Sequence, residues 1–346
     1  MSEWNDLELK NLFLSGIPLI DVRAPIEYGD GSLPNSVNLP IMDNAEREQV
    51  GTCYRLKGQE AAISLGHELV KGKVKKGRIL AWKDYIEKNP TAEIFCFRGG
   101  LRSQISCHWL REVGIERWPI PGGYKRMRRY LLSQIDEAPM PKIVRLGGYT
   151  GSGKTQVLAR IKNSIDLENL ASHRGSAFGH KGLQPGQVKF ENELALELIK
   201  KRDEVGIILE DESSMIGRLR IPRRLFMAMA ESPLIILKTD LEQRVNNIFI
   251  EYVKHSDFLT LSTSLQKIAK GLGGQAYKEI NTEMIQAFEK DKSIGHHEAW
   301  IVRLLTHYYD PLYERGIKRE NVKIIFEGDE NEVLDFTKTI NVLDTK

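Results

Sequence analysis

The stretch GYTGSGKT (Gly148–Thr155) constrains the fold more than any other part of the chain. It has a glycine, four residues, then glycine, lysine and threonine, and it follows the β-prone run KIVRLGG. A helix is predicted from Lys154 to about Ser164. Strand, glycine-rich loop and helix in that order are typical of a phosphate-binding loop. The pattern predicts an α/β unit whose backbone amides bind a diphosphate or triphosphate.

Six residues of this loop are the candidate diphosphate ligands: Gly148, Gly151, Ser152, Gly153, Lys154 and Thr155. Lys154 is expected to neutralise the distal phosphate, and the Thr155 hydroxyl to ligate Mg²⁺. The acidic turn LEDES ends a predicted strand and supplies Glu210 and Asp211 as candidate acids or as ligands of a metal or water. The sequence leaves open which acid points inward, and a solvated turn is the alternative. No tightly bound cofactor and no certain metal site is predicted.

A second anion loop is predicted at CFRGGLRS (Cys96–Ser103), between the β-prone run TAEIFCF and helical spacing over 101–113. Glycines there permit the turn, and inward amides, a helix N-terminus and two guanidinium groups favour a thiolate. Cys96 is therefore the candidate nucleophile. Five residues separate it from the second arginine, which leaves room for a tetrahedral oxyanion. The anion-binding residues of this loop are Arg98, Gly99, Gly100, Arg102 and Ser103. A buried structural cysteine is the alternative.

The chain of 346 residues is long enough for two domains. The stretch DEAPMPK has two prolines among charged residues, which predicts a linker. We predict an α/β domain at 1–136, a linker at 137–141 and a P-loop NTPase-like α/β domain with a helical C-terminal part at 142–346. Further strands are predicted at Gly206–Glu210, Pro233–Leu237 and Val322–Glu327.

Composition excludes some classes of protein. With 41% hydrophobic and 28% charged residues, the chain has no apolar run near the ~20 residues of a membrane helix. Its beginning lacks the pattern of a signal peptide, so a cytoplasmic location is expected and no membrane partner. Three cysteines without a CxxC pair favour free thiols.

Basic residues cluster in places, although the net charge is only +3. Aromatic residues flank one cluster, YKRMRRY, which makes stacking combined with phosphate contact feasible. For any single cluster, a solvated helix face is the alternative. The candidate contacts to a polyanion are Lys125, Arg126, Arg128, Arg129, Arg218, Arg220, Arg223 and Arg224.

Two family resemblances rest on longer strings. LIDVRAPIEY and GSLPNSVNLP, with the cysteine loop, resemble a rhodanese domain, which implies that Asp21 and Arg23 support the loop and do not react. Six strings resemble the tRNA 2-selenouridine synthases, in which a rhodanese domain is fused to a P-loop domain. In chain order they are residues 46–70, CFRGGLRS, GGYTGSGKT, LENLASHRGSAFG, LEDES and YYDPLYERG. The resemblance covers nearly the whole chain.

The second resemblance implies a transferase acting on tRNA. Such enzymes attach a geranyl group from geranyl diphosphate to wobble 2-thiouridine, then replace the S-geranyl group with selenium from selenophosphate. The basic clusters would then contact tRNA. The sequence leaves open whether Cys96 carries a perselenide, whether the phosphate loop binds geranyl diphosphate or a nucleotide, and the oligomeric state. A Cys-dependent phosphatase or a sulfurtransferase coupled to a nucleotide-binding domain is the alternative enzyme, and an RNA-binding adaptor the non-enzymatic one.

Overall fold

Parallel strands form the main sheet in each of the two units into which the chain divides. In the computed structural model, residues 4–179, 182–290, 292–320 and 322–340 are described. Unit 1 comprises residues 1–138 and 186–200, and unit 2 comprises residues 139–185 and 201–346. The prediction of a mixed α/β fold is confirmed.

The elements are numbered in chain order. The strands are β1 (Leu19–Asp21), β2 (Ser36–Asn38), β3 (Glu93–Phe95), β4 (Lys142–Gly147), β5 (Ser164–Ile165), β6 (Gly206–Glu210), β7 (Met215–Ile216), β8 (Leu219–Arg220), β9 (Leu234–Leu237) and β10 (Ile324–Gly328). The helices are α1 (Asp6–Leu14), α2 (Pro25–Asp30), α3 (Asn44–Leu69), α4 (Gly72–Lys88), α5 (Leu101–Glu112), α6 (Gly123–Asp136), α7 (Lys154–Ala159), α8 (Leu167–Leu170), α9 (Gln187–Lys200), α10 (Arg223–Glu231), α11 (Leu241–Ile248), α12 (Phe258–Leu272), α13 (Gly274–Phe288), α14 (Ile294–Leu304), α15 (Asp310–Glu320) and α16 (Glu330–Ile340). Two π-helical segments are Phe249–Val253 and Leu305–Tyr309.

Unit 1 is built on a parallel sheet with the order β2-β1-β3. Asp21 lies opposite Phe95 in the pairing of β1 with β3, so the residues that follow these strands meet at one edge. Trp82 of α4 and Leu110 of α5 are fully buried in the core beside Ile94. The indole of Trp82 donates a hydrogen bond to the Leu39 carbonyl at 2.8 Å, which satisfies its polar atom inside this core.

Helix α9 belongs to unit 1, although the predicted domain boundaries placed it in the P-loop domain. Its buried side chains include Phe190, Leu194 and Leu198, and the helix packs against α6 and α1. Burial of this apolar face favours docking on unit 1, and no local pattern in the sequence reveals which partner that face has. The first part of unit 1 ends at Ala138, and unit 2 begins at Pro139.

Unit 2 contains a parallel sheet with the order β10-β9-β4-β6-β5. Strand β4 lies in its centre, and every residue of β6 is buried, as expected for a parallel strand covered on both faces. The phosphate loop follows β4 at the carboxyl edge of the sheet, where open α/β sheets bind ligands. Between β6 and α10, β7 and β8 form a short antiparallel hairpin.

The helix after the phosphate loop is shorter than predicted, since α7 ends at Ala159 and not near Ser164. The Ser164 hydroxyl donates hydrogen bonds to the carbonyls of Leu158 and Ile161 at 2.7 and 2.8 Å. These bonds satisfy carbonyls that a longer helix would have used, and Ser164 is itself the first residue of β5.

The helical part of unit 2 runs from α11 to α15, before β10 and α16 return to the sheet. Its own apolar core includes Leu265, Met284, Trp300 and Leu304. Within the described ranges, no helix combines the length and the apolar character that crossing a membrane requires.

Candidate functional site

The phosphate loop of unit 2 depends on three glycines with positive φ. Gly148, Gly151 and Gly153 have φ of 150°, 81° and 89°. A Cβ added to Gly151 would lie 2.9 Å from the carbonyl oxygen of Arg244 and 2.9 Å from Ile248 Cγ1, so larger residues are excluded by space as well as by conformation. The sequence therefore dictates the turn between β4 and α7.

Side chains from the region around α11 hold the loop by its carbonyl groups. They are Thr239, which donates to Ser152 O at 2.9 Å, Arg244 Nε, which donates to Thr150 O at 3.0 Å, and Asn247 Nδ2, which donates to Gly151 O at 2.8 Å. The backbone N–H groups of residues 153–155 have no acceptor in the part of the chain that the structure describes. The loop is thus fixed from outside, and its free amides are available to an anion.

Lys154 lies across the loop. Its Nζ donates to the carbonyls of Gly148 and Tyr149 at 2.9 and 3.4 Å. The hydroxyl oxygen of Ser152 is buried and has no hydrogen-bond partner among the residues described. A cation, a donor hydroxyl and free amides in one turn are suited to a diphosphate, and exchanging weak carbonyl contacts for phosphate contacts favours its binding.

Arg244 also forms an ion pair that the sequence analysis missed. Its side chain is 5% exposed and makes a two-pronged contact with Asp310, with N–O distances of 3.0 and 2.5 Å. The same guanidinium lies 4.8 Å from the centre of the Tyr149 ring. Asp310 belongs to the YYDPLYERG string, so this string reaches the phosphate loop through Arg244. Arg244 and Asp310 act on the loop by position and do not touch its anion-binding face.

Four carboxyl groups lie beside the loop. Glu210 is fully buried and accepts a hydrogen bond from the Glu168 backbone N–H at 3.0 Å. It does not line the cavity into which the phosphate loop opens. Asp211 lines that cavity but is paired with Arg145 at 2.7 Å. Glu212 faces the cavity near Lys154. Burial raises the pKa of both Glu210 and Glu212, and the charge of Glu168 raises it further. Glu212, like Glu168, lines the cavity, whereas the carboxylate of Asp211 is paired with Arg145.

The loop opens into a cavity of about 640 Å³. Its size is that of a small-molecule site, roughly 300–1,000 Å³. Its polar lining includes the loop, Lys154, Thr155 and Glu212, and further charged side chains are Glu168, Arg174, Glu251 and Arg319. Aromatic and aliphatic side chains contribute a comparable share and include Phe226, Tyr252, Tyr308, Tyr309, Leu312 and Tyr313. A ligand with an anionic head and an apolar body can contact both kinds of lining.

The cysteine loop of unit 1 follows β3. Gly99 has φ 67°, and a Cβ there would lie 2.7 Å from the Ile120 carbonyl oxygen. The backbone N–H of Tyr124 donates to the Cys96 carbonyl at 2.9 Å, and that of Lys125 to the Phe97 carbonyl at 2.9 Å. The N–H groups of residues 97–102 find no acceptor within the described ranges. The loop thus has the free amides predicted for it.

The thiol of Cys96 lies at the bottom of this loop, with the residue 3% exposed. The Ser103 hydroxyl donates to Sγ at 3.2 Å and also to the Gly100 carbonyl at 3.1 Å. Cys107, on the helix after the loop, packs in the core, and burial raises the pKa of its thiol to about 12. Of these two thiols, only Cys96 lies beside a hydroxyl donor and an anion loop.

The side chains of the two arginines of the cysteine loop lie in different surroundings. Arg98 is exposed, with its guanidinium 5.8 Å from the centre of the Phe97 ring. Arg102 forms two hydrogen bonds with Glu27, at 2.5 and 3.2 Å. Burial alone would lower the pKa of Arg102, but the hydrogen bond and charge of Glu27, together with the nearby Cys96, raise it. Arg102 is thus a permanent cation close to the thiol, and its partner, 75 residues away in the chain, could not be predicted from the sequence.

Asp21 and Arg23 lie beneath the loop. They form a buried two-pronged pair, with Arg23 Nε and Nη2 2.8 and 2.6 Å from Asp21 Oδ2. The guanidinium of Arg23 also stacks 3.8 Å from the centre of the Tyr124 ring and donates to the Gly31 carbonyl at 2.9 Å. Burial, partly offset by Arg23, raises the pKa of Asp21. Both side chains connect β1 to the segment that holds the cysteine loop.

The basic residues predicted to contact tRNA fall into two groups. On α6, Lys125 and Arg129 are exposed, whereas Arg126 pairs with Asp6 at 2.5 Å and Arg128 pairs with Glu191. The second group lies on the β7–β8 hairpin and at the start of α10, and comprises Arg218, Arg220, Arg223 and Arg224. Within it, Arg218 donates to the Gln184 carbonyl at 2.5 Å.

The fold and the loop of unit 2 define a P-loop α/β protein, and comparison with known proteins gives the family. Residues 141–342 match the family model described as "tRNA 2-selenouridine synthase AAA domain". A protein of Shewanella sediminis named tRNA 2-selenouridine synthase is 43% identical over 92% of this chain and 93% of its own length. One of the same name from Bordetella petrii is 43% identical over 95% of this chain and 94% of its own. The chain belongs to the tRNA 2-selenouridine synthase family.

A solved structure, described as the N-terminal domain of a putative ATP/GTP binding protein from Clostridium difficile 630, is 32% identical. The match covers 33% of this chain and 88% of that one, with a TM-score of 0.31, which is too low to support a conclusion about the fold. The rhodanese character of unit 1 stays a prediction.

Proposed function

We propose that this protein makes 2-selenouridine in tRNA in two steps. In the first, the sulfur of wobble 2-thiouridine attacks C1 of geranyl diphosphate, the C–O bond breaks and diphosphate leaves. In the second, the selenium of selenophosphate attacks C2 of the base, the geranyl thiol leaves, and water cleaves the phosphorus–selenium bond so that phosphate is released. The relationship to named tRNA 2-selenouridine synthases over more than nine tenths of the chain carries this proposal. We place the reaction in the cytoplasm.

The cavity of unit 2 favours geranyl diphosphate over a nucleotide as the ligand of the phosphate loop. The loop amides and Lys154 suit the diphosphate, and neutralising its charge lowers the barrier to its departure. The tyrosine and aliphatic lining suits an isoprenoid chain, which has no polar atoms to satisfy.

Mg²⁺ fits beside the diphosphate. It is commonly bound by one or two carboxylates together with substrate phosphates, and Glu212 and the Thr155 hydroxyl line the same cavity. No cluster of three or more His, Cys, Asp or Glu residues with metal-binding geometry occurs in the described ranges, so the protein would supply only part of the coordination. When bound, the ion would neutralise negative charge on the leaving diphosphate.

Unit 1 would carry out the exchange of sulfur for selenium. Arg102 and the free amides after Cys96 suit the phosphate end of selenophosphate. The Ser103 hydroxyl, 3.2 Å from Sγ, stabilises a Cys96 thiolate by donating to it. Cys96 then orients the donor, since a perselenide formed from selenide-level selenium would need an oxidant that selenophosphate does not supply.

The test uses purified protein, tRNA containing 2-thiouridine, geranyl diphosphate and selenophosphate, with the modified nucleosides identified by mass spectrometry. Lys154→Ala should abolish S-geranylation but still convert S-geranylated tRNA supplied from outside. Cys96→Ser should accumulate the S-geranyl nucleoside. Lys162→Ala, a highly exposed lysine of the same unit, and Cys53→Ser serve as matched controls with full activity. Absence of any geranylated or selenated product with the wild-type protein would refute the proposal and favour a phosphatase or sulfurtransferase.

A further inference from the structure

Two tyrosines separate the phosphate-loop cavity from a small void inside the helical part of unit 2. The void has a volume of about 20 Å³, and Tyr252 and Tyr309 line both spaces. Thr150 and Ser176 also line both spaces, and the remaining lining of the void is apolar and consists of Phe178, Ile248, Trp300, Ile301, Leu304 and Leu305. A space of this size holds about one water-sized sphere, so it is closed to an alkyl chain while the two rings are in place.

Both tyrosines are presented by π-helical turns. Tyr252 lies on Phe249–Val253, and Tyr309 ends Leu305–Tyr309. A π turn adds a residue to the helical repeat and so changes the direction in which following side chains point, and such turns are frequent at functional sites. The same change of register in two separate helices turns two rings toward one cavity.

Neighbouring groups hold these rings in place. The guanidinium of Arg174 lies 4.9 Å from the centre of the Tyr252 ring and forms an ion pair with Glu251 at 3.4 Å. The Tyr308 ring packs edge-on against Tyr309, with 5.1 Å between the ring centres. These contacts favour one orientation of each ring, and the two rings together form the wall between the cavity and the void.

The wall stands close to the place where a diphosphate would be anchored. Thr150 of the phosphate loop and Ser176 line both the cavity and the void, together with the two tyrosines. A ligand held by the loop amides thus has its apolar chain running along a path whose end is set by these rings. A longer chain with the same head group would have to displace one of them.

We propose that Tyr252 and Tyr309 set the longest isoprenoid chain that the cavity accepts. Geranyl diphosphate fits in front of the wall, and farnesyl diphosphate, one isoprene unit longer, is excluded. This inference rests on the proposed function, because it assumes an isoprenoid diphosphate at the phosphate loop. It adds the residues that select the substrate within that class.

Removing either ring should join the void to the cavity. Most side chains that line the extra space are apolar, so the added isoprene unit would be buried mainly against apolar groups. A single methylene in a hydrophobic pocket already changes specificity roughly 10- to 200-fold. Tyr309→Ala and Tyr252→Ala should each raise kcat/KM for farnesyl relative to geranyl diphosphate by at least about 10-fold.

The experiment offers both diphosphates in competition to the full-length protein with thiolated tRNA, and mass spectrometry gives the ratio of the S-farnesyl to the S-geranyl nucleoside. Tyr309→Phe keeps the ring and should keep the wild-type ratio. Leu312→Ala enlarges the same cavity away from the void and should also leave the ratio unchanged. Circular dichroism verifies that each variant is folded.

The outcomes separate the two claims. If the wild-type protein transfers neither chain, the proposed function fails. If it transfers geranyl but the folded alanine variants keep the wild-type ratio, or if Leu312→Ala shifts the ratio as much as they do, the tyrosine wall is refuted. Should Tyr309→Ala not fold, Tyr252→Ala and the milder Tyr309→Leu decide the question by the same ratio.

Discussion

Arg244 offers the sharpest test of how unit 2 holds its phosphate loop. The Arg244→Ala substitution removes two hydrogen bonds to Asp310 and one to the Thr150 carbonyl, at a site where the arginine is 5% and the aspartate 18% exposed. Removing one partner of a buried ion pair costs about 3–5 kcal/mol, because the remaining charge stays desolvated. Since Asp310 keeps some contact with solvent, we expect the free energy of unfolding to fall by about 3 kcal/mol.

Arg303 provides the matched control. It also makes several hydrogen bonds to carboxylates, to Glu283 and Glu279, but its side chain is 35% exposed. Exposed ion pairs contribute little to stability, so Arg303→Ala should cost much less than Arg244→Ala. The number of hydrogen bonds is similar in the two cases, and burial is the main difference between them.

Urea unfolding followed by circular dichroism measures both free energies, with the slope of the transition compared between variants. High salt should weaken the contribution of Arg303 and leave that of Arg244 almost unchanged, because buried pairs are poorly screened. Equal losses of stability for the two variants, or equal sensitivity to salt, would refute the reasoning. Arg244→Ala should also weaken diphosphate binding, because the loop carbonyl of Thr150 loses its donor.

Three further outcomes are expected. Glu27→Gln should lower the free energy of unfolding at pH 7 by about 1–3 kcal/mol, because its hydrogen bonds with Arg102 become weaker. Burial raises the pKa of Glu27, but the hydrogen bond and charge of Arg102 outweigh burial and lower that pKa. The difference from wild type should therefore shrink only as the pH falls below about 4.5, as measured by denaturation at several pH values. A difference that grows on acidification would contradict this. Iodoacetamide at pH 8 should modify Cys96 before Cys107, whose thiol pKa is raised by burial to about 12, as mapped by peptide mass spectrometry; faster labelling of Cys107 would argue against the assigned nucleophile. Lys125→Ala and Arg223→Ala should weaken tRNA binding and reduce its salt dependence by about one ion each, measured by filter binding, and unchanged slopes would exclude these contacts.

The local parts of both loops could be predicted from sequence. Glycines at 99, 148, 151 and 153 adopt positive φ, and each loop joins a strand to a helix as its spacing indicates. These features depend on neighbours in the chain, so a short pattern specifies them. The extent of α7 was predicted too long, because the Ser164 hydroxyl ends it by a contact that periodicity does not reveal.

Long-range partners could not be predicted. Arg244 and Asp310 are 66 residues apart, Arg102 and Glu27 are 75 apart, and Arg126 and Asp6 are 120 apart. Nothing in a charge pattern distinguishes such pairs from solvated residues, and two arginines expected to contact tRNA are in fact paired within unit 1. Glu212 was one of three adjacent acids, and only the turn after β6 decides which carboxyl group faces the ligand.

The most direct measurement compares the affinities of geranyl diphosphate, inorganic diphosphate and ATP for the wild-type protein and for Lys154→Ala by titration calorimetry. If the phosphate loop and its tyrosine-lined cavity together bind an isoprenoid diphosphate, geranyl diphosphate should bind at least about 10-fold more tightly than the other two, since burying its chain adds apolar contact. Lys154→Ala should weaken its binding by roughly 10-fold or more, because a hydrogen bond to a charged group is lost. Tighter binding of ATP, or an affinity for geranyl diphosphate no greater than that for inorganic diphosphate, would contradict this assignment.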